Sequence, residues 1–195
     1  MSRDYIFTED WFSSNIPTLY NFLFTYKATP CRILEIGCFQ GRSTIWFLTN
    51  ILLHEQSNIT CVDPFTGSVE HTPEQVDHLF DIFSYNLRNY KHKTILFKGK
   101  SSDILRANNF TLDNVYDVVY IDGDHRAPAV MEDAVLSFAC LRQGGLMIFD
   151  DYHGGDSKGL LSNDSTNFAV SSFIKVYAPF VDILSVNYQL ILRKK

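Results

Sequence analysis

Apolar residues along this chain alternate between two patterns: short unbroken runs, and stripes that recur every three or four positions. The runs fall at 32–36, 58–62, 94–98, 115–121, 146–149, 181–186 and 188–192. Each predicts a strand, and the inner ones predict strands covered on both faces. Between them the helical spacing returns. Trp11, Phe12, Ile16, Leu19, Tyr20, Phe22 and Leu23, interrupted by Pro17, predict one or two short helices within Thr8–Tyr26. Ile45, Phe47, Leu48, Ile51 and Leu52 predict a helix capped by Ser43. Thr72-Pro73-Glu74-Gln75 is a capping-box pattern with proline at the first helical position, and it opens one continuous helix through Val76, Leu79, Phe80, Phe83 and Leu87. A short helix follows Gly99-Lys100-Ser101-Ser102. Val130, Met131, Ala134, Val135, Phe138 and Leu141 predict another, ended by Gly144-Gly145, and Phe168, Val170, Phe173, Ile174 and Tyr177 predict the last. Asn187 joins the final two runs as a hairpin.

This alternation predicts an α/β, Rossmann-like three-layer sandwich: a mostly parallel seven-stranded sheet with a C-terminal antiparallel hairpin. The chain reads as one domain over 1–195. Residues 1–28 form a helical segment over the sheet, and the glycine-rich stretch 153–163 is either a lid or an ordinary connection. In such sheets ligands lie beyond the carboxyl ends of the strands. Function-capable groups stand at those ends: Glu35-Ile36-Gly37, Asp63, Gly99-Lys100-Ser101, Asp122-Gly123-Asp124-His125 and Asp150-Asp151. The first strand runs through Glu35 into a turn flanked by Gly37 and Gly41, a cofactor-type loop. Its Gly-x-x-x-Gly spacing lacks the Gly-x-Gly-x-x-Gly turn that receives a pyrophosphate, which disfavours a dinucleotide and a nicotinamide dehydrogenase.

Composition narrows the class. With 195 residues, 46% of them hydrophobic, the chain can bury a core without staples. No apolar run approaches the roughly 18 residues a membrane helix needs, and Met1-Ser2-Arg3-Asp4-Tyr5 lacks a signal pattern, so a cytoplasmic protein with no membrane partner is expected. Cys31, Cys38, Cys61 and Cys140 show no Cys-x-x-Cys spacing and are read as buried small hydrophobes. The net charge of −5, with no basic stretch interleaved with aromatics, disfavours nucleic acid as a partner.

Taken together, Leu34-Glu35-Ile36-Gly37-Cys38-Phe39-Gln40-Gly41, Val62-Asp63-Pro64-Phe65, Tyr120-Ile121-Asp122-Gly123-Asp124-His125 and Gly144-Gly145-Leu146-Met147-Ile148-Phe149-Asp150-Asp151-Tyr152 resemble a class I S-adenosylmethionine-dependent methyltransferase. The resemblance spans residues 10–193 and is greatest to small O-methyltransferases related to the macrocin-type sugar enzymes. It implies S-adenosyl-L-methionine as cofactor, held by Glu35, Gly37, Cys38, Gly41, Ser43, Asp63, Pro64, Phe65, Ser101 and Asp122. In that scheme Gly37 and Gly41 curve around the methionine part and Glu35 helps hold its amino group. Asp63 accepts from the ribose hydroxyls, Ser101 lies near the adenine, and Phe65 forms a wall. Plain turns also account for the two glycines and for Asp63 before Pro64.

Asp122, Asp150 and Asp151 end neighbouring strands, and three like charges placed together call for a cation. Oxygen ligands select a hard ion, most simply Mg²⁺, which the resemblance implies would orient two neighbouring hydroxyls of a sugar, glycan or other small molecule for O-methylation. The resemblance makes Asp124 the general base, with His125 and His153 as competitors because histidine titrates near neutrality. Taken alone, either histidine is better accounted for as a surface or loop residue. The chain has no long insertion to cap the acceptor, so that site must draw on the N-terminal segment, the 153–163 loop or a partner subunit in a homo-oligomer. Two other classes fit the same residues: a metal-dependent hydroxylase, and a catalytically silent cofactor-binding subunit.

Overall fold

The computed structural model describes residues 4–67, 71–107, 110, 116–153 and 165–195. Seven strands form one sheet: β1 (Arg32–Ile36), β2 (Asn58–Asp63), β3 (Thr94–Lys98), β4 (Tyr116–Ile121), β5 (Leu141–Phe149), β6 (Val181–Val186) and β7 (Leu190–Lys194). Their order is β3-β2-β1-β4-β5-β7-β6. Pairing is parallel from β3 through β5 and antiparallel where β7 joins β5 and β6. The expected architecture holds.

Side chains of the central strands alternate between two cores. Ile33, Val118, Tyr120, Leu146 and Ile148 face one layer with α1 (Ile16–Leu23) and α2 (Arg42–Asn50). Leu34, Ile36, Val119, Ile121, Met147 and Phe149 face the other, with α6 (Ala127–Cys140) and α7 (Thr166–Tyr177). The period of two explains why these runs carry almost no polar residue. All four cysteines are buried. Among the described residues, no helix is long and apolar enough to cross a membrane.

Three local expectations are corrected. Ser43 does not cap α2. Gly41 does, in left-handed geometry (φ 81°), while Ser43 lies inside the helix. The helix expected from Thr72 is two: α3 (Pro73–Val76) and α4 (Leu79–Asn86). Thr72 makes the full capping box, but His78 turns left-handed at φ 55°. The break lets Gln75 reach Glu9 across 3.1 Å while Leu79 and Phe83 enter the core. Finally, α6 stops at Cys140, and Gly144-Gly145 belong to β5. There they form an irregularity in which Tyr116 pairs with Leu141 but Val118 with Leu146. The hairpin turn spans 187–189, so β7 begins two residues later than expected.

Strand order reverses at the β1/β4 junction, and backbone bonds tie the strand ends into a staircase there. Gly37 N–H donates to Val62, Asp122 N–H to Ile36, and Asp150 N–H to Ile121. The acidic strand ends are thereby held on one rim.

Candidate active site

Gly37 (φ 82°), Phe39 (φ 46°) and Gly41 (φ 81°) bend the loop after β1 sharply. A Cβ on Gly37 would stand 1.9 Å from the Asp122 carbonyl oxygen, so β1 and β4 can end side by side only with glycine there. The loop is fastened by Asp63. One carboxylate oxygen accepts from the N–H groups of Cys38 (2.7 Å) and Phe39 (3.0 Å), the other from Phe65 (2.6 Å). Burial raises the Asp63 pKa, against the pull of those backbone donors. A carboxylate offers about four acceptor sites, and these backbone donors take three of them.

Glu35 lies beneath the loop, fully buried. It accepts from Ser43 Oγ and from Thr44 Oγ1 (2.6 Å), with Cys61 Sγ at 3.7 Å. Burial pushes its carboxyl up to about 7, because no cation offsets the desolvation its hydroxyl and thiol partners only partly relieve. It supports the loop from behind.

At the ends of β4 and β5 the acids sort into two kinds. Asp122, His125 and Asp151 each offer a ligand atom, all within 4.8 Å of one another. His125 Nε2 is 2.9 Å from Asp151 and 3.6 Å from Asp122. Tyr188, in the β6–β7 turn, donates to Asp151. Asp150 points inward instead. It accepts from Asn15 (3.2 Å), Gln189 (3.1 Å), Tyr120 (2.6 Å) and the N–H of Asp151 (3.0 Å). Burial, reinforced by the charges of Asp122 and Asp151, raises its pKa. Of the three expected aspartates, Asp122 and Asp151 thus stand together with His125, while Asp150 anchors the N-terminal segment through Asn15. A set of two carboxylates and one imidazole at this spacing fits a divalent cation.

These groups line one cleft of about 1050 Å³, whose walls include Gly37, Cys38, Ser43, Asp63, Pro64, Ser101, Asp122, Asp124, His125, Asp150 and Asp151. That volume exceeds what a single drug-sized ligand needs. Four expected residues do not line it. Glu35 lies under the loop. Gly41 faces Leu87 and Phe83. Phe65 turns at φ 55° into the core against Phe80 and Phe83. His153 is exposed beside Tyr152, and the rest of the expected lid, 154–163, lies outside the described residues. Asp124 lines the cleft but is paired with Arg126. Burial pushes its pKa up, yet the hydrogen bonds and charge of Arg126 prevail and hold it below the ordinary value.

Sequence reasoning missed Asp133, Tyr188 and Asn15. Only Asp133 left a signal. It stands on α6 between Val130 and Ala134, on the face that carries Phe138 into the core, where a carboxyl needs a reason to be.

A doubly wound sheet with a glycine loop and an acidic rim at its switch point defines an α/β cofactor-binding protein. Over residues 34–152 the chain matches the methyltransferase-domain family, and it belongs to that family. It is 29% identical over 136 residues, 69% of this chain, to the uncharacterized protein R132 of Acanthamoeba polyphaga mimivirus, and the match spans 57% of that relative's length. Among solved structures it resembles the O-methyltransferase from Bacillus cereus in complex with S-adenosylhomocysteine (SAH), with a TM-score of 0.69, 19% identity, and coverage of 96% of this chain and 84% of that one. It also resembles the MycE methyltransferase of the mycinamycin biosynthetic pathway, in complex with Mg, SAH and mycinamycin VI, with a TM-score of 0.65, 15% identity, and coverage of 95% and 50%.

Proposed function

We propose that this protein is an S-adenosylmethionine-dependent O-methyltransferase whose acceptor is a sugar, glycan or other small molecule bearing neighbouring hydroxyls, with a divalent cation such as Mg²⁺ at the acceptor site. The observation that carries this reading is the placement of Asp122, His125 and Asp151 in the same cleft as the Gly37–Gly41 loop. It joins a donor cradle to a cation-competent cluster, and the fold relative MycE is in complex with both Mg and SAH.

Asp122, His125 and Asp151 would hold the cation, which would supply Lewis acidity that lowers the pKa of the acceptor hydroxyl. The chain's own groups do the rest. The Gly37 loop and Asp63 orient the donor so that its methyl carbon faces the acceptor oxygen. Asp124, kept ionised by Arg126, takes the hydroxyl proton. Its depressed pKa makes it a weak base, adequate only for an acidified hydroxyl. Tyr188 and Asp150 fix Asp151.

Calorimetric titration with S-adenosylmethionine and SAH tests the donor, and binding of an unrelated nucleotide instead would overturn it. Chelation that left turnover of a diol acceptor unchanged would remove the cation. Asp124→Asn is expected to lower kcat by about 10²-fold or more with donor affinity retained. If His125→Gln did this while Mg²⁺ affinity held, the base would be His125. Iron in the isolated protein would favour an oxidative enzyme. Donor binding without turnover on any acceptor would favour a silent subunit.

A further inference from the structure

β3 ends the sheet and pairs with β2 alone, so the backbone N–H and C=O groups along its other edge meet no strand among the described residues. It passes through Gly99-Lys100 into α5 (Ser101–Arg106), which packs against β2 and α6. Ile95 is 48% exposed, Leu96 36% and Phe97 36%. Successive side chains of a strand point to opposite faces, so β3 is apolar and open on both. The Phe110 ring stands edge-on to Phe97, with centroids 5.2 Å apart, and still leaves it that exposed.

The charge at this edge is the reverse of the chain's. Residues 88–100 hold Arg88, Lys91, Lys93, Lys98 and Lys100 and no acid, in a chain of net charge −5. Two of these cations serve the fold. Arg88 lies on the Tyr85 ring and donates to its carbonyl, and Lys93 donates to the carbonyls of Leu52 and His54. Lys91, Lys98 and Lys100 are exposed, and the ion pairs among the described residues leave them without an acidic partner. Lysine in the middle of an edge strand blocks further pairing, but here the lysines bracket a strand whose middle stays apolar. A second copy of β3 laid along this edge would crowd lysines together at both ends. An acidic chain meets complementary charge at both.

We infer that β3 is a docking edge for an extended, acidic peptide segment of another protein, which adds beside it as a further strand. The segment's backbone satisfies the open edge, and its apolar side chains cover Ile95, Leu96 and Phe97. Carboxylates beyond them pair with Lys91 at one end and with Lys98 and Lys100 at the other. Backbone pairing selects a polypeptide over a nucleic acid or a lipid surface, since neither offers N–H and C=O groups in strand register. The inference stands apart from the methyl-donor reading.

The probe is a fluorescein-labelled peptide, Glu-Glu-Val-Thr-Val-Thr-Val-Glu-Glu, followed by fluorescence anisotropy. It should bind with a Kd of about 100 μM or below, and more weakly as salt rises. Proline in place of its central valine removes a ladder hydrogen bond and should weaken binding by roughly tenfold or more. Lys91→Glu combined with Lys98→Glu, with the fold checked by circular dichroism, should cause a similar loss for the original peptide. Amide exchange within Thr94–Lys98 should slow when that peptide is bound. A Kd above that bound, equal binding of the proline peptide, or full binding by the double variant would overturn the inference. So would tighter binding of a single-stranded oligonucleotide or of phosphatidylserine vesicles, or a dimer in light scattering that Ile95→Lys dissociates.

Discussion

At Gly37 any side chain meets the backbone of Asp122, and the positive φ penalises an L-residue as well. Gly37→Ala is therefore expected to destabilise the protein by about 4 kcal/mol or more, read from urea unfolding, and near-parent stability would show that β1 and β4 can separate. Tyr120→Phe is milder. It removes the hydroxyl that donates to buried Asp150 and should cost about 1–3 kcal/mol with the sheet intact by circular dichroism. The strand-end acids were legible because each Asp interrupts an apolar run where the run stops. Their orientation was not. Asp150 and Asp151 are neighbours in sequence, and with Asp151 left-handed (φ 54°) their side chains reach different partners, Asp150 to Asn15 and Asp151 to His125. The inward turn of Phe65 and the reach of Asn15 to Asp150 likewise depend on backbone angles and on contacts 135 residues apart.

The strands were readable as elements, since a sheet covered on both faces needs unbroken apolar runs. Helix boundaries were less so. Periodicity alone carries the pattern Val76, Leu79, Phe80, Phe83 straight through 77–78, whereas the structure breaks there with His78 left-handed. His78 is largely exposed and its neighbours Asp77 and Asp81 lie 3.5 Å away at the surface, so those pairs return little. His78→Gly should accordingly stabilise the protein by roughly 1 kcal/mol, measured as a shift in urea midpoint at constant slope. A loss would mean the imidazole holds the break. Gly144-Gly145 misled for a related reason: glycine ends helices, but it also relieves strand irregularities. At Gly145 a Cβ would lie 2.9 Å from the Asp117 carbonyl oxygen.

Over the whole molecule, buried acids dominate the pH response. Glu35 and Asp133 are both pushed up to about 7, from ordinary values of 4.5 and 3.8. The folded state therefore binds these protons more tightly than the unfolded chain does. As pH rises from the ordinary values toward 7, the unfolded chain ionises first and the folded state loses stability. Above the folded values both states are ionised and the loss ends. Unfolding free energy should fall by a few kcal/mol between pH 5 and 7.5, at about 1.4 kcal/mol per pH unit for each such group, and Glu35→Gln should remove part of the slope. Asp10 and Asp124, whose pKa values are lowered, act in the opposite sense only at lower pH. A flat profile in the parent would contradict the burial of these acids in solution.

The two bonds from Cys38 and Phe39 to Asp63 have a thermodynamic consequence. They give the donor loop its curvature from within the protein, so a ligand arriving there meets a mould already set and has little chain to order. The heat-capacity change on binding should then match the apolar area the ligand itself covers, without the larger negative value that accompanies coupled folding. Asp63→Asn, which sets an amide donor against the Phe65 N–H or against those of both Cys38 and Phe39, should convert a rigid receptor into one that must be assembled, visible as a more negative heat-capacity change and a slower association rate.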